Sequence, residues 1–149
     1  MKILFSILRE MADLPNDPDA VALALNSLGL AVEEMDVVGV PIPGVVTARI
    51  VRMEKHPDAA KVTRCFVDAG DGEERHVWCG ATNMQPGDIV PLATLGTTMP
   101  NGMEIARRGI LGIDSEGMLC SEVELGLSDE SSGLLILPAG SPLGVSPFE

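Results

Sequence analysis

Hydrophobic and polar positions follow two different rhythms along this chain. In the first forty residues the apolar positions recur at helical spacing: Val21, Leu25 and Leu28, with Ala20, Ala22 and Ala24 between them. Asn16 or Asp17 can cap that helix, Pro18 suits its first turn, and Asp19 favours the positive end of its dipole. Gly29 is the residue expected to end it. A shorter helix is expected from Ser6 to Met11. Leu30 to Val38, which contains Glu33, Glu34 and Asp36, reads as a strand with an acidic edge. A segment of this size buries too little surface to be stable alone, so it is expected to pack on something else.

The run Val40-Pro41-Ile42-Pro43-Gly44 breaks any regular element and marks a boundary. The expected division is a helical segment with an edge strand over 1–40 and a β domain over 41–149. Beyond the boundary the pattern turns to short β-branched runs: Val45 to Met53, Val62 to Asp68, Arg75 to Cys79, Ile89 to Leu95, a segment around Glu104 to Ile110, and Leu134 to Leu137. Gly70-Asp71-Gly72, Pro86-Gly87-Asp88, Pro100-Asn101-Gly102 and Ser132-Gly133 punctuate them. Many short strands with such turns predict an all-β barrel or sandwich. The length suits a five-stranded Greek-key barrel with decorations, giving a mainly β (α+β) chain.

Composition adds two constraints. Apolar residues are 46% of the 149, but aromatic residues only 3% and Tyr is missing, so the core must be aliphatic. Ten basic against 22 acidic residues give a net charge of −12, which by itself disfavours a polyanion, because phosphates are held mainly by Lys and Arg. Cys65, Cys79 and Cys120 form no C-x-x-C pair and suggest no zinc site; Cys65 and Cys79, in strands with apolar neighbours, are expected to be buried and reduced. The apolar start, MKILFSILRE, soon becomes charged and is too short to span a bilayer, so a soluble cytoplasmic protein is expected.

No catalytic constellation emerges. His56 and His76 have no partner at a telling spacing, and Ser115, Ser121 and the cysteines lack a nucleophile signature. Gly109, Gly112 and Gly117 do not form a phosphate-binding loop. The basic residues, however, are unevenly placed. Arg49, Arg52, Lys55, Lys61 and Arg64 face only Glu54 and Asp58 between residues 44 and 66, a local +3; Arg107 and Arg108 form a second pair. Such a patch can attract phosphate on an otherwise acidic molecule, or be ordinary solubilising charge. His56 could stack on a base or bond a phosphate, or serve only to shape the turn at Pro57 and Asp58.

The run His56-Pro57-Asp58-Ala59-Ala60-Lys61-Val62, followed by Cys65 and Val67-Asp68-Ala69-Gly70, resembles the signature of a tRNA-binding module shared by several translation proteins, EMAP II-like and of the OB-fold. The likeness continues through Trp78-Cys79-Gly80-Ala81-Thr82-Asn83, through Gly87-Asp88 to Val90-Pro91, and through Ser115-Glu116-Gly117-Met118-Leu119-Cys120-Ser121. Asn83, Ser115 and Met118 are added to the candidate tRNA-binding residues on that resemblance. Met1-Lys2-Ile3 to Arg9-Glu10, Leu14-Pro15 and Gly29 to Glu33 resemble the opening of the bacterial phenylalanyl-tRNA synthetase β-subunit family. Phe5, Ile7 and Met11 replace that family's aromatic residues, Thr82 its proline and Val62 its leucine.

The resemblance implies a non-catalytic tRNA-contacting module in an α2β2 enzyme whose ATP and magnesium are handled elsewhere. No cofactor, metal, membrane or DNA contact is expected in this segment. Two alternatives stay open: a stand-alone tRNA-binding barrel, and a structural or assembly module without productive tRNA contact. With so few aromatic platforms, binding should be weak, salt-sensitive and dominated by the sugar-phosphate backbone.

Overall fold

A computed structural model describes residues 1–110, 112–130 and 132–148. The chain divides into two compact units, Met1–Val37 and Val38–Glu149.

The first unit holds two helices, α1 over Phe5–Met11 and α2 over Pro18–Ser27. Asp17 caps α2, its Oδ1 accepting from the backbone N–H of Asp19 (3.1 Å) and Ala20 (3.2 Å), with Pro18 in the first turn. Gly29 takes φ +83°, a left-handed conformation that costs a glycine nothing. The strand expected over Leu30 to Val38 does not form. The segment joins no ladder among the described residues; its start is held by Leu30 N–H to the Leu25 carbonyl (3.0 Å) and Val32 N–H to the Asn26 side chain (2.8 Å). Alternating hydrophobicity without a partner edge makes no strand.

The second unit is a five-stranded antiparallel, nearly closed barrel. Its strands are β1 (Val45–Lys55), β2 (Thr63–Asp68), β3 (Glu74–Cys79), β4 (Ile89–Thr94) and, after the short hairpin β5 (Arg108–Ile110) and β6 (Ile113–Ser115), β7 (Gly117–Leu119). The order across the sheet is β3-β2-β1-β4-β7. Closure comes from the 115–116 segment meeting β3. Glu116 N–H donates to the His76 carbonyl (2.9 Å), and Trp78 N–H donates to Ser115 Oγ (3.1 Å).

Two expectations are corrected here. The fifth barrel strand is Gly117–Leu119, paired with Thr94, Ala93 and Leu92 in a stretch outside the expected strands, whereas Leu134 to Leu137, expected as a strand, forms none. The latter stretch makes one bridge, Leu137 to Ile89, because Pro138 ends it at once. The expected strand around Glu104 to Ile110 also breaks up: Glu104 bridges Thr98, and only Arg108–Ile110 pairs, with Ile113–Ser115.

Inward residues of the long strands build the core. Ala48, Ile50, Cys65, Val67, Val77, Val90, Leu92 and Leu119 are buried together, as the alternating pattern requires. A second cluster of Ile42, Val45, Ala93, Met99, Ile105, Cys120 and Leu125 fills one side. All three thiols are buried and free. Burial raises each thiol's pKa, Cys65 and Cys120 to about 12, with the neighbouring Cys79 and Glu124 adding to the respective shifts.

Candidate nucleic-acid interface

A β-bulge decides what the outer face of β1–β2–β3 presents. Up to Ile50, even-numbered residues of β1 point inward. The register shifts between Ile50 and Arg52, leaving Val51 as the extra residue, and afterwards Met53 pairs with Cys65 on the inner face. Arg52 and Glu54 are thereby placed outside, where an unbroken strand would have aimed them into the barrel. Arg52 lies opposite Phe66, which lies opposite His76; Glu54 lies opposite Arg64, which lies opposite Trp78.

These side chains stack into a row along the face. The Arg52 guanidinium carbon sits 3.6 Å from the Phe66 ring centroid. Arg64 lies on the same ring at 4.6 Å and over Trp78 at 5.9 Å, and the His56 ring meets Trp78 at 4.6 Å. Phe66 and Trp78 are buried beneath this cover although they point outward. Trp78 is further fixed by its indole N–H, which donates to the Ile113 carbonyl (2.9 Å). The aromatic platforms on this face are therefore already capped by cationic groups.

The candidate residues fall into three groups. Arg52 and Arg107 are tied to carboxylates. Arg52 Nη1 is 2.7 Å from Glu54 and its Nη2 3.0 Å from Glu74, while Arg107 reaches Glu116 at 3.6 Å. Arg49, Lys55, Lys61 and Arg108 are exposed with no ion pair among the described residues, and Arg64 is half-buried, its Nε buried without a hydrogen-bond partner. Lys55, Lys61 and Arg64 gather at one end of the β1–β2 hairpin, whereas Arg49 lies opposite Asp68 at the other. Arg108 begins the separate β5–β6 hairpin.

The third group serves the fold. His56 is 4% exposed; its Nδ1 accepts from Asp58 N–H (3.0 Å) and its backbone N–H donates to the Val62 carbonyl (3.1 Å), closing the loop. Asn83 behaves as a stand-in peptide: its Nδ2 donates to the Leu134 carbonyl and its Oδ1 accepts from Leu134 N–H, both at 2.9 Å. Gly133 lies so close to that amide that a Cβ there would collide with it. Ser115 is buried, accepting from Trp78 and donating to the Gly117 carbonyl (3.0 Å). Met118 packs half-buried against the second core cluster.

The opposite end of β2–β3 is acidic. Asp68, Asp71, Glu73 and Glu74 cluster around that hairpin, with Arg75 among them and Arg49 opposite Asp68. Arg75, which the sequence did not single out, bonds Asp71 at 2.6 Å; the contact holds the Asp71 carboxyl below its usual range and raises the pKa of the arginine. The pairing of Arg52 with Glu74, 22 residues away, leaves no local sequence signal. Only the i, i+2 relation of Arg52 to Glu54 could have hinted that this cation is neutralised. Among the described residues no group of His, Cys, Asp and Glu could hold a metal, and no helix is long and apolar enough to cross a membrane.

Comparison with known proteins agrees with this geometry. The chain is 45% identical over all 149 residues to a phenylalanine–tRNA ligase β subunit of Syntrophotalea carbinolica, and 46% identical over 144 residues to that of Anaeromyxobacter dehalogenans. It spans only 18% of the length of each. Two solved structures share the fold at low identity: a MetRS related protein from Pyrococcus horikoshii (21% identical, TM-score 0.50, covering 68% of this chain and 86% of that one) and the C-terminal domain of Plasmodium vivax p43 (18%, TM-score 0.51, covering 68% and 57%). Residues 45–146, the whole barrel, match the family described as "Putative tRNA binding domain", and the chain belongs to that family.

Proposed function

We propose that this chain is the tRNA-contacting barrel of a phenylalanine–tRNA ligase β subunit, and that it holds RNA without taking part in the chemistry. The observation that carries this reading is the unbroken likeness to such subunits across both units, together with a barrel of the tRNA-binding family. In this reading Lys55, Lys61 and Arg64 supply the phosphate contacts, with Arg49 and Arg108 as outlying cations. Phenylalanine activation, ATP and magnesium belong to other parts of a cytoplasmic α2β2 enzyme. In this reading the domains run over 1–40 and 41–149.

The test is tRNA binding by the chain as salt is raised. The logarithm of the affinity should fall linearly with the logarithm of salt concentration. Lys55→Glu with Lys61→Glu should weaken binding and flatten that slope by about two contacts. An affinity indifferent to salt, or a double reversal without effect, refutes the assignment.

One observation favours a second reading, a structural module without productive tRNA contact. Arg52, Arg75 and Arg107 all direct their charge to neighbouring carboxylates. Deleting the barrel from a full-length subunit separates the two: lost assembly with unchanged tRNA affinity supports the structural role.

A further inference from the structure

Resting on the tRNA reading above, we infer that Arg52 is a stacking shelf for an unpaired RNA base and does not contact phosphate. Three features of its surroundings lead there. Its edges are occupied: Glu54 Oε1 accepts from Nη1 at 2.7 Å, and Glu74 Oε1 accepts from Nη2 at 3.0 Å and from Nε at 3.3 Å. One of its flat faces lies on the Phe66 ring. Its side chain is nevertheless 52% exposed, so what it offers to solvent is mainly the other flat face.

Charge and shape then point the same way. Two carboxylates surround one guanidinium, so the immediate neighbourhood is net negative and repels phosphate. A planar, delocalised cation held rigid over an aromatic ring is a surface on which a base can stack, because guanidinium planes serve RNA-binding proteins much as aromatic rings do. Restraint by Phe66, Glu54 and Glu74 means little side-chain freedom is lost when a base arrives. The β-bulge at Val51 that turns Arg52 outward thus substitutes for the exposed aromatic platforms that this chain lacks.

Phosphate and base contacts are accordingly divided along the hairpin. Lys55, Lys61 and Arg64, without ion pairs among the described residues, take the backbone; Arg52, opposite Phe66 and so two residues along β2 from Arg64, takes a base.

The experiment compares binding of the chain to two single-stranded oligoadenylates, one bearing a fluorescent adenine analogue and one an abasic site in its place, across a salt series. Wild type should prefer the base-bearing strand by about fivefold or more and quench its fluorescence. Arg52→Lys keeps the charge and removes the plane; it should abolish the preference and the quenching while leaving the salt slope unchanged. Glu74→Ala frees the guanidinium edge; it should reduce the preference and tighten the abasic strand. A preference that survives Arg52→Lys, or a slope that drops by about one contact in that variant, overturns the shelf. Salt-sensitive tRNA binding by wild type without any base preference overturns the shelf alone. Failure of wild type to bind tRNA or either strand at low salt overturns the tRNA reading beneath it.

Discussion

Replacing Ser115 with Ala should destabilise the barrel without touching RNA affinity. The hydroxyl accepts from the Trp78 backbone N–H at 3.1 Å and donates to the Gly117 carbonyl at 3.0 Å, in a position 7% exposed. Removing it leaves the Trp78 donor buried and unpaired, which costs about 1–3 kcal/mol, and strips one bond from Gly117, a further ~1 kcal/mol or less. The small void left by one oxygen adds little. A loss of about 2–3 kcal/mol, with a urea slope of ~2 kcal/mol/M, moves the unfolding midpoint down by about 1 M or slightly more. Trp78 is the only tryptophan and lies at the perturbed position, so its fluorescence reports the transition directly. Binding of tRNA per folded molecule, measured well below the midpoint, should equal wild type with the same salt dependence. A midpoint unchanged within about 0.3 M would refute the hydroxyl's role in the seam between β3 and β7, and a tRNA affinity that falls while the midpoint holds would assign it to RNA instead.

Asn83→Ala should behave alike, destabilising by about 2 kcal/mol through the two lost bonds to Leu134, with tRNA affinity intact; chemical denaturation and a binding isotherm on the same sample check both halves. Gly117→Ala would place a Cβ 2.7 Å from the Ala93 carbonyl oxygen and force β7 away from β4, so the thermal midpoint should drop by several degrees; an unchanged midpoint contradicts the pairing. Alkaline pH should weaken the fold through the thiols. Cys65 and Cys120 titrate near 9 when unfolded and near 12 when folded, so between those values the unfolded chain releases protons that the folded one keeps. Their stabilisation is whole below about pH 9 and declines as pH rises towards 12. With no Tyr to titrate in that range, urea midpoints at rising pH should show it, and Cys65→Ala should flatten the decline. A thiol reagent at neutral pH should label none of the three cysteines faster than the chain unfolds.

The parts of the fold that could be read from sequence are those with a local cause. Asp17-Pro18-Asp19 and Gly29 place α2 because caps act within one turn. β1 to β4 are legible because five or six alternating residues suffice to pair. β7 is not legible because it has three residues, begins with glycine, and is a strand only because β4 provides an edge. Leu30 to Val38 has the opposite fault: a strand-like pattern with no edge to join. The site divides in the same way. The cluster Lys55, Lys61, Arg64 was visible as charge near one loop, whereas the roles of Asn83, Ser115 and His56 were not, since a motif position records that a residue matters without saying whether it faces ligand or core.

The net charge of −12 is less of an obstacle to RNA than it first appears, because the acid is placed where it can act as a guide. β2 runs from Arg64, beside the cationic loop, to Asp68, beside Asp71, Glu73 and Glu74, over about 14 Å at the usual rise per residue. That exceeds the ~8 Å over which physiological salt screens exposed charge. The two ends therefore present distinct potentials to an approaching phosphate, attractive at the 55–64 loop and repulsive at the 71–74 hairpin. Glu54 and Glu74 also neutralise Arg52, the cation between them, so that the gradient has no competing centre midway. Reversing Glu73 and Asp71 to lysine should then raise overall RNA affinity while degrading its orientation: crosslinks from a photoreactive group on Lys61 would spread to new nucleotides. If affinity rises and the crosslinks stay put, the acidic hairpin only repels, and the placement of RNA is fixed by the cationic loop alone.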